Sequence, residues 1–125
     1  MIFDTDILIW LQRGNSHAAE IIDKTEEREI SIITYMELLQ CAAGKYQHKQ
    51  IKSFLVDCNF NVIPLNGNIG HRAAIYIEEY SLVDGIRTND AIIAATAVEL
   101  NAELMSGNKK HYKMIKELQL VVFKP

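Results

Sequence analysis

The sequence predicts an α/β fold: a three-layer α/β/α sandwich around a mostly parallel sheet of about five strands. Three observations predict it. Short apolar runs alternate with stretches of helical periodicity along the whole chain. The length of 125 residues suits one continuous core, so residues 1–125 read as a single domain. Only 2 Pro and 6 Gly are present, which leaves no composition for a linker or a disordered segment. Strands that alternate with helices in this way build a parallel sheet covered on both faces.

Met1, Ile2 and Phe3 form the first predicted strand, and a helix starts at Thr5 and runs to Leu11. Ser16 is the expected cap of a second helix reaching Glu27. Residues 29–33 are β-branched and strand-like, and 34–43 are helical with Gly44 as the stop. Ile51, Phe54, Leu55 and Cys58 recur at helical spacing within 49–58. A third strand over 60–65 ends near Pro64, and a helix over 68–80 follows. After Asp84 and Gly85 comes an Ala-rich helix over 89–100, whose small side chains permit close approach to a sheet. A fourth strand at 103–105, a helix over 109–118 and a fifth strand at 120–123 complete the chain.

In such sheets ligands bind beyond the carboxyl ends of the strands. Asp4 follows the first strand, Glu37 lies one turn beyond the second, Asp90 opens the Ala-rich helix, and Asn108 follows the fourth strand. Each also has a purely structural reading. Asp4 suits a helix cap, and Thr34-Tyr35-Met36-Glu37 fits a capping box. Behind Thr88, Asp90 suits a first-turn acid, and Ser106 or Asn108 suits a cap of the last helix. The conjunction points elsewhere: acids gathered on one sheet edge repel unless cations lie between them. Hard ions such as Mg²⁺ or Mn²⁺ take oxygen ligands of this kind. His17, His48, His71 and His111 are too scattered to suggest zinc.

The overall charge is −3, with 13 basic against 16 acidic residues, which argues against coating nucleic acid through bulk positive charge. It leaves open an enzyme that meets a polyanion through bound cations. The apolar tract 91–98 is too short to span a bilayer, no targeting pattern is evident, and two widely spaced cysteines suggest a reducing cytoplasm.

The same residues carry a resemblance. Ile2-Phe3-Asp4-Thr5-Asp6-Ile7-Leu8-Ile9 resembles the opening D-T-x-x-L-I element of PIN-domain ribonucleases, more narrowly VapC-type toxins of bacterial toxin–antitoxin pairs. Ser31-Ile32-Ile33-Thr34-Tyr35-Met36-Glu37-Leu38-Leu39 is similar to the central S-x-x-T-x-x-E-L-L element. Asp90-Ala91-Ile92-Ile93-Ala94-Ala95-Thr96-Ala97 matches the D-A-x-I-A-A-T-A helix. Met105-Ser106-Gly107-Asn108-Lys109-Lys110-His111-Tyr112 resembles the closing T-x-N-x-x-H-F or T-x-D-x-x-F element.

The resemblance implies a Mg²⁺-dependent endoribonuclease, with Mn²⁺ as a substitute, in which Asp4 and Asp90 hold the metal. Glu37 would complete the acidic pocket, through water or by positioning the nucleophile. Asn108 stands where many relatives carry a fourth acid, which favours one tightly held ion. Thr5, Asp6 and Ser106 would support these groups, and Arg13, Lys109 and Lys110 would guide RNA phosphates. The resemblance also implies a homodimer and a VapB-like antitoxin partner lying across the groove, near Trp10, Leu11, Leu38 and Leu39.

Two rivals compete. A haloacid-dehalogenase-like phosphatase would use Asp4 as nucleophile and Asp6 as general acid, although Ile7-Leu8 replaces the expected Gly-Thr. A catalytically silent PIN-like binding module would be consistent with Asn108.

Overall fold

The computed structural model describes residues 1–125. Its elements run β1 (Ile2–Phe3), α1 (Thr5–Gln12), α2 (Ser16–Lys24), β2 (Arg28–Ser31), α3 (Ile32–Gln40), α4 (Lys45–Asp57) and β3 (Phe60–Ile63). They continue as α5 (Gly67–Asp84), α6 (Thr88–Glu99), β4 (Leu104–Ser106), α7 (Lys109–Tyr112) and β5 (Leu120–Val122). The strands form one sheet in the order β3-β2-β1-β4-β5, and every neighbouring pair is parallel. The chain winds outward from β1 through β2 to β3. It then returns to lay β4 against the other side of β1. Winding therefore reverses between β1 and β4, and a crevice opens at their carboxyl ends.

Alternation along the strands divides the core into two layers. Ile2 and Leu104 face a cluster built with Ile69, Ala73 and Tyr76 of α5 and the Ala residues of α6. Phe3 and Met105 face the opposite cluster, with Ile7 and Leu8 of α1, Ile22 of α2, Leu38 of α3 and Leu55 of α4. Ala91, Ala94, Ala95 and Ala97 are completely buried, so α6 packs tightly along this layer, as its composition suggests.

Several boundaries differ from the sequence reading, each for a local reason. Strand β2 stops at Ser31, whose hydroxyl accepts from the Ile33 amide, so Ile32 and Ile33 are helical despite their β-branched side chains. Asn15, not Ser16, caps α2 by accepting from the Ala18 amide. Gly44 does not stop α3, which ends at Gln40; with φ 135° it begins α4 four residues before the expected start. Asn66 caps α5, which runs on to Gly85 in the left-handed region. The predicted helix over 109–118 ends at Tyr112. Beyond it, amides of Ile115 and Leu118 bond three residues back, and these tight turns sink Ile115 and Leu118 into the core.

Far from the crevice, one polar network pins α5. Arg72 bonds Glu99 at 2.6 Å and Glu117 at 2.9 Å, and the Tyr76 hydroxyl donates to the same Glu117 oxygen. The Tyr76 hydroxyl, and after it Arg72, hold the Glu117 carboxyl below its ordinary 4.5 against the opposing pull of burial. A depressed carboxyl contributes stability that is present above its unfolded pKa and lost as pH falls through the folded one. Glu117→Gln should therefore lower the melting temperature at pH 7 by roughly 1–4 °C, the scale of a half-exposed pair. The gap from wild type should close below pH 4.5, measured by thermal melts across the acid range.

Candidate active site

The parallel register brings the end of β1 beside the end of β4. The Asp4 amide bonds Met105 O at 2.9 Å, which extends the sheet by one residue and fixes where the Asp4 side chain begins. Asp4 is only 4 % exposed, and its carboxylate accepts from three segments of the chain. Oδ1 takes the Thr5 amide at 2.8 Å, so Asp4 does cap α1. Oδ2 takes the Ser106 hydroxyl at 2.7 Å and the Tyr112 hydroxyl at 3.1 Å. Capping and participation in the site are thus carried by different oxygens of one side chain.

Tyr112 also links Asp4 to Asp90, since its hydroxyl lies 3.4 Å from Asp90 Oδ1. The other Asp90 oxygen is 3.4 Å from Nδ1 of His111. Burial, and then repulsion from Asp4, raise the Asp90 carboxyl above the ordinary carboxylate range, while His111 opposes the rise. Thr88 supplies no cap; the helix begins after Arg87, which caps it without a side-chain bond.

Glu37 is not the second half of a capping box. Ser31 caps α3, which leaves Thr34 inside the helix. Glu37 Oε1 instead accepts from the Thr5 hydroxyl at 2.7 Å, and Thr5 Oγ1 in turn lies 3.0 Å from the buried Thr34 hydroxyl. Glu37 is thereby turned toward the first strand. It shares a cleft of about 420 Å³ with Arg87, Thr88, Asn89, Asp90 and His111.

Asp6 faces the loop after β4. Its Oδ2 accepts from the Gly107 amide at 2.9 Å, and its Oδ1 is buried without a partner. Burial, with the Asp4 charge adding to it, pushes the Asp6 carboxyl up to about 6. A Cβ at position 107 would stand 2.9 Å from Asp6 Oδ2, so this close approach requires glycine. With Oδ2 held by the loop and Oδ1 buried, Asp6 is poorly placed to protonate a leaving group, which counts against the phosphatase reading. Asn108 is exposed and its side chain caps nothing; its amide donates to Ser106 Oγ at 3.0 Å and its carbonyl accepts from the His111 amide at 2.9 Å.

The basic residues fall elsewhere than expected. Arg13 ends α1 and stacks over Trp10, at 5.9 Å from the ring centroid. That is a helix length, about 12 Å, from Asp4. Lys109 and Lys110 are exposed on α7 and do not line the cleft. The cation that does line it is Arg87. Sequence reasoning assigned no role to Arg87, His111 or Tyr112, although the last two stand within the closing motif.

No three Asp, Glu, His or Cys side chains gather closely enough to enclose a metal ion alone. The site instead offers two neighbouring carboxylates, Asp4 and Asp90, and Glu37 across the cleft. That is an all-oxygen set suited to a hard divalent ion, which commonly takes one or two carboxylates and completes its shell with water. A second depression of about 450 Å³ adjoins the cleft through Glu37. It is lined by Ile9, Leu38, Ile51 and Phe54, and of the four groove positions expected from sequence it includes Leu38.

Known proteins share the fold of this chain. A chain of a toxin–antitoxin complex from Klebsiella pneumoniae is 32 % identical with a TM-score of 0.79, over 97 % of this chain and 95 % of that one. A chain of VapBC-1 from nontypeable Haemophilus influenzae is 30 % identical with a TM-score of 0.78, over 98 % of each. A chain of DNA-bound VapBC from Salmonella typhimurium has a TM-score of 0.80 at 17 % identity, over 97 % of this chain and 96 % of that one, a likeness of fold alone. No curated protein sequence matches. The PIN domain family profile matches residues 1–117, nearly the whole chain, and the chain belongs to that family.

Proposed function

We propose that this protein is a metal-dependent endoribonuclease and the toxin of a toxin–antitoxin pair. The observation that carries the reading is the carboxylate pair Asp4 and Asp90, set at the winding reversal of the sheet, with Asp90 lining the cleft that holds Glu37. Two like charges drawn together in a half-buried site are stabilised by a cation, and the oxygen donors select a hard one, Mg²⁺ with Mn²⁺ as substitute. Bound there, such an ion polarises a phosphoryl oxygen and offsets charge developing in the transition state.

The protein's own groups supply the rest. Asp4 and Asp90 hold the ion. Glu37, oriented by Thr5, is placed to orient the attacking water and accept its proton for in-line displacement at a phosphodiester. Arg87, with no acidic partner within ion-pairing distance, is placed to receive a substrate phosphate; it takes the role expected of Arg13, Lys109 and Lys110. The known complexes from Klebsiella pneumoniae and Haemophilus influenzae support a VapB-like antitoxin partner, for which the apolar depression beside Glu37 offers a seat. No helix is long and apolar enough to cross a membrane. We place the protein in the cytoplasm, as a homodimer of one PIN unit per chain.

The test is cleavage of a fluorogenic single-stranded RNA by antitoxin-free protein. Mg²⁺ should support cutting and a chelator should abolish it. Glu37→Gln should reduce kcat by on the order of 100-fold, the scale of a lost general base, with melting close to wild type. Normal cutting by that variant would remove Glu37 from the mechanism. Metal binding by wild type without any cleavage would favour the silent binding module.

Arg87→Gln gives an independent check on substrate approach. KM for RNA should rise about tenfold with kcat within twofold, the pattern of lost uniform binding. An unchanged KM would mean that phosphates enter by another route.

A further inference from the structure

The Tyr112 hydroxyl has no part in the chemistry above, yet it is the one hydrogen-bonding side chain that reaches both Asp4 and Asp90. Ionised carboxylates only accept hydrogen bonds, so two of them cannot bond each other. One O–H shared between them, 3.1 Å from Asp4 and 3.4 Å from Asp90, can orient both. The Tyr112 ring is fully buried and packed with Leu104, Ile115 and Leu118, so its hydroxyl has one fixed position at the end of α7. Ring packing alone does not call for that hydroxyl, since phenylalanine fills nearly the same volume. A buried hydroxyl is costly unless bonded, and here its acceptors are the two carboxylates.

We propose that Tyr112 is a positioning residue, whose hydroxyl sets Asp4 and Asp90 in a fixed relation so that the pair is already shaped to receive a divalent cation. The closing motif thus meets the acids through position 112, while the Asn108 side chain stays exposed. The inference rests on the metal-dependent reading given above. It adds a determinant of metal affinity in a residue that touches neither substrate nor ion. Groups that orient a metal ligand commonly contribute 10–100-fold to affinity.

The experiment is Mn²⁺ binding, followed by the electron paramagnetic resonance signal of the free ion. Wild type, Tyr112→Phe, Asp90→Asn and the double variant are compared, each shown to be folded by a thermal melt in chelator. Tyr112→Phe should weaken Mn²⁺ binding about tenfold in the wild-type background. In the Asp90→Asn background, where the pair no longer exists, the same change should cost less than twofold. Equal affinity for wild type and Tyr112→Phe would overturn the proposal. So would the same loss in both backgrounds, which marks general loosening of the fold. Either result leaves the metal-dependent reading intact, because wild type would still bind. If wild type binds no Mn²⁺, that reading fails and this one falls with it. Should Tyr112→Phe not fold, Tyr112→Met, which also lacks the hydroxyl, replaces it in the same four-way comparison, and the same results decide.

Discussion

Much of this structure depends on how the Asp4 carboxylate is kept inside the protein. A buried charge is costly unless its oxygens are bonded, and hydrogen bonds to a charged group contribute about 1.5–3 kcal/mol each. Asp4 has three donors: the first amide of α1, a hydroxyl at the end of β4 and a hydroxyl at the end of α7. Those elements must dock in one arrangement for all three bonds to form. The packing therefore has a polar keystone at its centre as well as two apolar layers.

The same constraint gives meaning to the net charge of −3, which at first argues against an RNA partner. Acids are concentrated where the sheet reverses its winding. Asp90 is raised by burial and by Asp4, and Asp6 is raised by burial and by Asp4, so this corner carries more negative charge than its own donors fully offset. A divalent ion bound there would offset that charge and would prepare the surface for a phosphate. Arg87 on the cleft wall acts in the same direction. Local arrangement, and not total charge, decides whether a polyanion can approach.

The fold class, the parallel sheet and the places of Asp4, Glu37 and Asp90 were legible because they follow from periodicity and from what stands after each strand. The depth of the site was not. Glu37 looked equally well like half of a capping box until Ser31 took the cap and freed it to bond Thr5. Gly44 carried the residue type of a helix stop and began a helix instead, since one positive-φ glycine serves either end. In the sequence Tyr112 is only the last residue of a motif. Its importance comes from a hydroxyl meeting residues 108 and 22 positions away, and no local pattern encodes such a meeting. Arg87 was hidden for a related reason: its relevance is a matter of which wall of a cleft it occupies.

That distance along the chain has a consequence for when the site exists. Ser106 reaches Asp4 across 102 positions and Gly107 reaches Asp6 across 101, both by way of the β1–β4 pairing. Parallel neighbours so far apart in sequence close a large loop before they gain any contact, and pairings of this kind form late. Until β4 docks, Asp4 lacks the Ser106 and Tyr112 donors and Gly107 is not held by Asp6. The acids that would hold a metal thus converge only in the completed sheet. A chain interrupted before β4 carries Asp4, Glu37 and Asp90 without the geometry that makes them a site. The residues from β4 onward are what turn three separated acids into one corner of the molecule.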